Sequence, residues 1–472
     1  MKQRSELRPL LSFYGDDFTG STDVLETLFQ AGVDAGLFIQ PPTSEQLNGQ
    51  FANLAAFGVA GISRSLSPEE MDLQLTPIFK RLHAANTAIV HYKICSTFDS
   101  APQTGSIGKA AELGRGIFGG RYIPLLAGAP HLRRFTLFGH HFAAAREQIH
   151  RLDRHPTMSR HPVTPMEESD LRLHLQKQTS LRISLMDIVS LDGSYETVRM
   201  NLEQLLQEER PDIVIFDALD DERMETVGRL IWEEAAASEG PLFVIGSSGV
   251  EQALAAHWQT AGIVKPARVT QYEAQAADRQ GQRQVLVLSG SCSPVTAKQI
   301  TYALAHGFSG IRLPVSQLLD PSLVEASMAA VREQAMNLLK SGKSVILYTA
   351  SGPDDPEVAN TRERLAQLGI KSEESSRRLG PMLGKLATGL IEACGLNKLV
   401  IAGGDTSGYI VKELDADALG CDSLFETGSP LCQVHAKGRA IDGLKLILKG
   451  GQVGGESYFV RAQREIRPEN NQ

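Results

Sequence analysis

Short apolar runs of four or five residues recur along the chain. They alternate with longer stretches in which the apolar positions fall three or four apart. The short runs predict strands at residues 10–14, 36–39, 88–92, 122–126, 213–216 and 242–245. Between the first two, residues 22–30 predict a helix, because Val24, Leu25, Leu28 and Phe29 share one face and Gly32 follows as a stop signal. The pattern weakens over 267–283, a polar stretch with several glutamines that predicts a linker. It then restarts, with strands at 285–288, 345–348, 399–402 and 445–448 and a helix at 324–339. Alternation of this kind predicts an α/β protein with mostly parallel sheets. The domains expected are 1–266 and 284–460, followed by a polar tail at 461–472, with the active site in a cleft between the domains.

Composition narrows the class. Of the 472 residues, 42% are hydrophobic and 22% charged, enough for two or three packed domains. A net charge of −8 argues against a nucleic-acid partner, which wants a basic surface. The five cysteines (Cys95, Cys292, Cys394, Cys421, Cys432) form no C-x-x-C pair, so thiols in a reducing compartment are expected rather than disulfides or a zinc site. The first residues hold no long apolar run. Neither a signal peptide nor a membrane anchor is predicted, and the expected location is the cytoplasm. The oligomeric state stays open, with a homo-oligomer among the options.

Candidate chemistry follows the predicted strands, at whose carboxyl ends open α/β sheets bind ligands. The first cluster runs from Tyr14 to Asp23 and includes Asp16, Asp17 and Thr19. Adjacent carboxylates are costly to bring together unless substrate hydroxyls, a metal ion or a base role employs them. The plainer reading is a loop in which Thr19, Ser21 or Asp23 caps the next helix. The second cluster holds Lys93, Ser96, Thr97 and Asp99, followed by Gly105-Ser106-Ile107-Gly108. Lys93 could neutralise a carboxylate, and the glycines could open a helix N-terminus toward an anion. Three more loops follow strands in the second half: Ser289-Gly290-Ser291-Cys292-Ser293, Gly403-Gly404-Asp405-Thr406-Ser407-Gly408 and Lys449-Gly450-Gly451-Gln452-Val453-Gly454-Gly455. Their glycines let backbone N–H groups approach a phosphate, as in a nucleotide cradle. They contain neither G-x-G-x-x-G nor a Walker A pattern. The residues singled out there are Ser291, Ser293, Gly403, Gly404, Asp405, Thr406, Gly450, Gly451 and Gly454. The pair His140-His141 reads as packing or hydrogen bonding rather than metal ligation, and Gly246-Ser247-Ser248-Gly249 as a tight turn.

With these segments in hand, the sequence resembles the four-carbon acid sugar kinases. The matching segments are GDDFTGSTD at 15–23, KICSTFDS at 93–100, AGAP at 127–130, FGHHFA at 138–143 and HPVTPMEESDL at 161–171. GSSG at 246, SGSCS at 289, GGDTSG at 403 and KGGQVGGESYF at 449 continue the order. The resemblance implies an N-terminal acid-sugar-binding domain and a C-terminal nucleotide-binding domain. It also implies transfer of a phosphoryl group from ATP, with Mg2+, to a terminal hydroxyl of a small sugar acid. In that reading Lys93 meets the acid's carboxylate and Asp17, then Asp16, then Asp99, takes the hydroxyl proton. One branch of the family reads Lys-x-Asp-Ser-Thr-Leu-Arg-Gly where this chain has Lys93-x-Cys95-Ser96-Thr97-Phe98-Asp99-Ser100. Gly105-Ser106-Ile107-Gly108 stands where Gly-Asn-Ile-Gly is common, and the last loop reads Gly-Gly-Gln-Val-Gly. The Cys-Ser-Thr-Phe-Asp-Ser form looks like the branch acting on 3-oxo acids, 3-oxo-tetronate or the branched 3-oxo-isoapionate. A sugar-acid dehydrogenase or hydrolase, and a sugar-acid sensor without activity, are the rival readings.

Overall fold

The computed structural model describes residues 8–161, 163–266, 284–370 and 375–463, without the side chains at 404 and 405. The linker expected at 267–283 and the end of the tail lie outside the described residues. The chain divides into two compact units, Met1–Arg268 and Val269–Gln472.

The first unit contains β1 (Leu11–Gly15), β2 (Ala35–Phe38), β3 (Ala56–Ala60), β4 (Ile89–Lys93) and β5 (Ile123–Leu126). Next come β6 (Arg134–Leu137), β7 (His140–Ala145) and β8 (Gln148–Arg151), then β9 (Ile183–Met186), β10 (Ile213–Phe216) and β11 (Leu242–Gly246). A parallel sheet runs in the order β2-β3-β1-β4-β11-β5-β10-β9, and β6, β7 and β8 form a separate antiparallel sheet. The strands β1, β3, β4, β5, β10 and β11 are buried along their whole length, as sheets covered by helices on both faces require. Helices Phe18–Ala31, Gly249–Thr260 and Asp221–Ala237 pack side by side, as do Pro68–Ala84 and Ile107–Phe118. After β1 the chain turns to one side, to β2; after β4 it turns to the other, to β5. Loops that diverge in this way open a crevice at the carboxyl ends of β1 and β4.

The second unit contains β12 (Leu286–Ser289), β13 (Ser309–Arg312), β14 (Val345–Tyr348), β15 (Lys398–Ala402), β16 (Ala418–Glu426), β17 (Ser429–His435) and β18 (Lys445–Lys449). Its sheet order is β13-β14-β12-β15-β18-β17-β16, parallel from β13 to β18, with β17 and β16 antiparallel. Here too the chain leaves β12 toward β13 on one side and β15 toward β16 on the other, so the switch point lies between β12 and β15. Arg461 and Ala462, placed in the tail by the sequence pattern, belong to the helix Tyr458–Ala462, with Ala462 buried in the core. Among the described residues no helix is long and apolar enough to cross a membrane.

Candidate functional site

Asp16 and Asp17 follow β1 directly, and one guanidinium engages both. Arg64 donates to Asp16 Oδ1 at 2.8 Å through Nη2, to Asp16 Oδ2 at 3.2 Å through Nε, and to Asp17 Oδ2 at 2.9 Å through Nη1. Arg64 follows β3. Its backbone N–H donates to Asp16 O at 3.0 Å, and Ser63 Oγ lies 2.9 Å from Tyr92 Oη, so the segment has a fixed seat. Burial pushes the Asp16 carboxyl above the ordinary carboxylate range. Arg64 pulls against the rise, and the neighbouring Asp17 adds to it. The helix cap is a correction to the sequence reading. Asp17 itself, and not Thr19, Ser21 or Asp23, caps Phe18–Ala31, accepting from Gly20 N at 2.8 Å. Thr19 lies in the first helical turn, half-buried.

Lys93 ends β4 and is buried, and its backbone carbonyl accepts from Asp16 N at 2.9 Å. Its ammonium donates to Ile94 O at 3.0 Å and stands 3.8 Å from Asp23 Oδ2. A Cβ at Gly20 would come 2.5 Å from Asp17 Oδ1 and 3.0 Å from Lys93 Nζ, so a side chain there would press into both groups. Beyond Lys93, Thr97 Oγ1 donates to Asp99 Oδ1 at 2.8 Å and lies 3.0 Å from Cys95 Sγ. Phe98 takes a left-handed φ of 58° while fully buried. Two histidines brace this bend. His141 Nε2–H donates to the Ser96 carbonyl at 2.8 Å, and its Nδ1 faces Thr136 Oγ1 at 2.9 Å. His174 Nε2 lies 3.0 Å from Ser100 Oγ. Burial pushes both imidazoles down to about 4, so both are neutral at ordinary pH.

One sequence expectation near this site is corrected. The helix Ile107–Phe118 does begin after Gly105, but Gly108 N donates to Gln178 Oε1 at 3.2 Å, so Gln178 covers an end expected to face an anion. Residues 246–249 form the tight turn expected. They carry β11 into the helix Gly249–Thr260, and Gly249 N donates to Ser247 Oγ at 3.1 Å.

In the second unit, Ser289, Ala402 and Lys449 are in register at the ends of β12, β15 and β18, which brings the three glycine-rich loops together. Ser291 Oγ accepts from Ser293 N at 3.2 Å, and Ser293 Oγ caps Pro294–Ala305 by accepting from Val295 N at 3.1 Å. Gly403 leads into the helix Gly404–Lys412, and Thr406 Oγ1 in its first turn lies 3.4 Å from Ser376 Oγ. The Asp405 side chain lies outside the described residues. A Cβ at Gly451 would come 3.0 Å from Ser291 Oγ and 3.2 Å from Ser293 Cβ, so the first and third loops touch across that glycine. Gln299 Nε2 donates to the carbonyls of Val453, Gly454 and Gly455 at 2.9–3.1 Å and fixes the path after Gly450. The absence of a side chain at Gly454 has its own cause: a Cβ there would stand 2.2 Å from the ring of Tyr458.

The sequence reading omits Arg64, His141 and His174 as parts of the site and gives Lys449 no role. Arg64 carries the signal used elsewhere, a polar residue just after a strand. Its strand β3 is the short run Ala56–Ala60, with a glycine at its centre, which the periodicity does not single out.

Comparison with known proteins agrees with this division. A family model described as a sugar-binding N-terminal domain matches residues 11–254, and one described as a nucleotide-binding C-terminal domain matches 286–459. The chain is 42% identical to a 3-oxo-isoapionate kinase of Paraburkholderia graminis, over 95% of this chain and 93% of that one. It is 29% identical to a 3-oxo-tetronate kinase of Pseudomonas fluorescens, over 98% of both. A crystal structure of a Salmonella typhimurium LT2 protein superposes with a TM-score of 0.77 at 24% identity, covering 97% of this chain and 99% of that one. A Haemophilus influenzae protein gives 0.70 at 22% identity, covering 96% and 99%; both likenesses concern the fold. With a sugar-binding and a nucleotide-binding domain in this order and near full-length similarity to such kinases, the chain belongs to the four-carbon acid sugar kinase family.

Proposed function

We infer that this chain is an ATP-dependent kinase that phosphorylates a terminal hydroxyl of a small sugar acid, with a 3-oxo acid, the branched 3-oxo-isoapionate first, as substrate. The observation that carries this reading is the 42% identity to a 3-oxo-isoapionate kinase over 95% of the chain, where the 3-oxo-tetronate kinases stand at 27–29%. Lys93 serves as the cation for the substrate carboxylate. It is a buried ammonium whose carboxylate neighbour Asp23 is 3.8 Å away. Thr19, Ser96, Thr97 and Asp99 supply further polar contacts to the acid.

Asp17 accepts the hydroxyl proton as the oxygen bonds to phosphorus and ADP leaves. Its side chain is 25% exposed, against 4% for Asp16, and a base has to reach its proton before basicity matters. Arg64 holds both carboxylates in place and keeps their charges from repelling. Ser291, Ser293, Gly403, Gly404, Asp405, Thr406, Gly450, Gly451 and Gly454 form the nucleotide site. ATP supplies the γ-phosphoryl group, and Mg2+ offsets the phosphate charge. Among the described residues no three His, Cys, Asp or Glu side chains gather as metal ligands. Besides the Asp405 carboxylate, the cradle offers hydroxyls and backbone, which suits an ion that stays hydrated and binds mainly through phosphates. Dependence on ATP and five free cysteines suit the cytoplasm.

A panel of sugar acids in an ATP-coupled assay tests this reading, with the matching sugar alcohols alongside. The expected result is highest kcat/KM for a 3-oxo acid and loss of about ten- to a hundredfold for an alcohol lacking the carboxylate. Product formation without ATP would overturn the kinase assignment, and equal use of alcohol and acid would overturn the role of Lys93.

A further inference from the structure

Lys449 is 1% exposed, yet no carboxylate is within 4 Å of its ammonium among the described side chains. Its donors go to neutral oxygens: Thr296 Oγ1 at 3.0 Å, Gly450 O at 2.9 Å and Gly451 O at 3.3 Å. The ring of Tyr458 lies 5.7 Å away, and the Tyr458 hydroxyl is 2.5 Å from Ser429 Oγ. A buried charge without a counter-charge is costly, and proteins retain one mainly where a ligand completes it.

The backbone shows on which side that ligand would sit. The peptide bonds are trans, so a carbonyl and the N–H that follows it point in opposite directions. With the Gly450 and Gly451 carbonyls turned to Lys449, the N–H groups of Gly451 and Gln452 face the other way. Consecutive outward N–H groups on a glycine-rich loop form an anion-binding concavity. Thr296 Oγ1 donates to the Gly451 carbonyl at 3.0 Å and supports the same orientation.

We propose that Lys449 is the buried positive charge of the nucleotide site, aiming the Gly451 and Gln452 N–H groups at a phosphate whose negative charge balances its ammonium. The proposal rests on the nucleotide-site reading above and names the residue that makes the third loop a phosphate site. Burial alone holds the Lys449 ammonium down, to about 8. A phosphate bound nearby favours the charged form, so above pH 8 the protein takes up a proton as nucleotide binds.

The test is isothermal titration of the full chain with a non-hydrolysable ATP analogue at pH 8.5, in two buffers of different ionisation enthalpy. The analogue is added as its Mg2+ complex, which lowers the pKa of its terminal phosphate and leaves almost no proton on it at that pH. Uptake of about half a proton or more per nucleotide is expected, together with an affinity that weakens several-fold between pH 8 and 9. In Lys449→Met the uptake should vanish and nucleotide affinity should fall about ten- to a hundredfold, with KM for the sugar acid unchanged. A folded Lys449→Met variant that binds the analogue as tightly as the wild type would overturn the role of Lys449 and leave the nucleotide site standing. No binding at millimolar analogue would overturn both. Should the methionine variant fail to fold, Lys449→Arg keeps the charge and should bind the analogue within a few-fold of the wild type with the proton uptake gone, because a guanidinium stays protonated at this pH; uptake that persists in Lys449→Arg would assign it to another group.

Discussion

Asp17 has two duties, and they limit the substitution that can test it. It caps the helix Phe18–Ala31 and stands at the candidate hydroxyl site. Asparagine caps about as well as aspartate, whereas alanine would cost about 1 kcal/mol of cap stability and blur the result. Asp17→Asn should therefore fold normally and lower kcat by roughly 10²–10⁴-fold if Asp17 is the base. Asp16→Asn removes a buried carboxylate that binds Arg64 on both oxygens, and should raise KM more than it lowers kcat. Steady-state kinetics with a thermal melt of each variant check both. Near-normal kcat in both would move the base role to Asp99. Arg64 also answers why two adjacent acids are tolerated here. The sequence shows the unfavourable pair, but the cation that stabilises it comes from another strand.

At the scale of elements, the bend from Cys95 to Ser100 depends on histidines outside its own segment. His141 reaches the Ser96 carbonyl from β7, and His174 reaches Ser100 from the helix Leu171–Gln176. A histidine held near 4 in the fold and near 6.5 when unfolded binds fewer protons folded between those values. Stability is therefore highest above about 6.5 and falls as the pH drops toward 4. Relative to His141→Gln, the wild type should lose up to about 3 kcal/mol over that interval, as measured by denaturant unfolding at a series of pH values. Taking the difference cancels other groups, such as Asp217, which burial raises to about 6. A flat difference would show that His141 is not held neutral. The sequence reading of the His140-His141 pair named packing or hydrogen bonding in general terms. The partner across the fold is not visible from a dipeptide.

At the scale of the whole molecule, each unit sets its candidate ligand loops at a switch point, β1 beside β4 in one and β12 beside β15 in the other. Ligands should therefore stabilise the chain through separate loops. An ATP analogue at a hundredfold excess over Kd should add about 2.7 kcal/mol and raise Tm. Gly451→Val should abolish that shift, because its side chain would strike Ser291 and Ser293, and should leave the shift caused by sugar acid intact. Differential scanning calorimetry reads both, and a nucleotide shift that survives in Gly451→Val would exclude the third loop from the site.

The apolar rhythm by itself determined the α/β class, the main parallel strands and the polar break after residue 266, because buried parallel strands must be continuous apolar runs. It also marked the candidate ligand loops, since polar and glycine-rich residues stand out after such runs. It was silent on the parallel strands β3, β9 and β13, whose short runs are broken by glycine, serine or arginine, and on β6 to β8 and β16 to β17, which are antiparallel with mixed exposure. Only the tertiary structure decided what each polar residue meets. Arg64 between Asp16 and Asp17, His141 under Ser96, Gln178 over Gly108 and the uncompensated ammonium of Lys449 are all pairings set by strand order. The residues paired at the first three sites lie 45 to 70 positions apart, and the Lys449–Thr296 contact spans 153. A local pattern carries no information about a partner at that distance, because hydrogen bonds and charges act over a few ångströms of space and not along the chain.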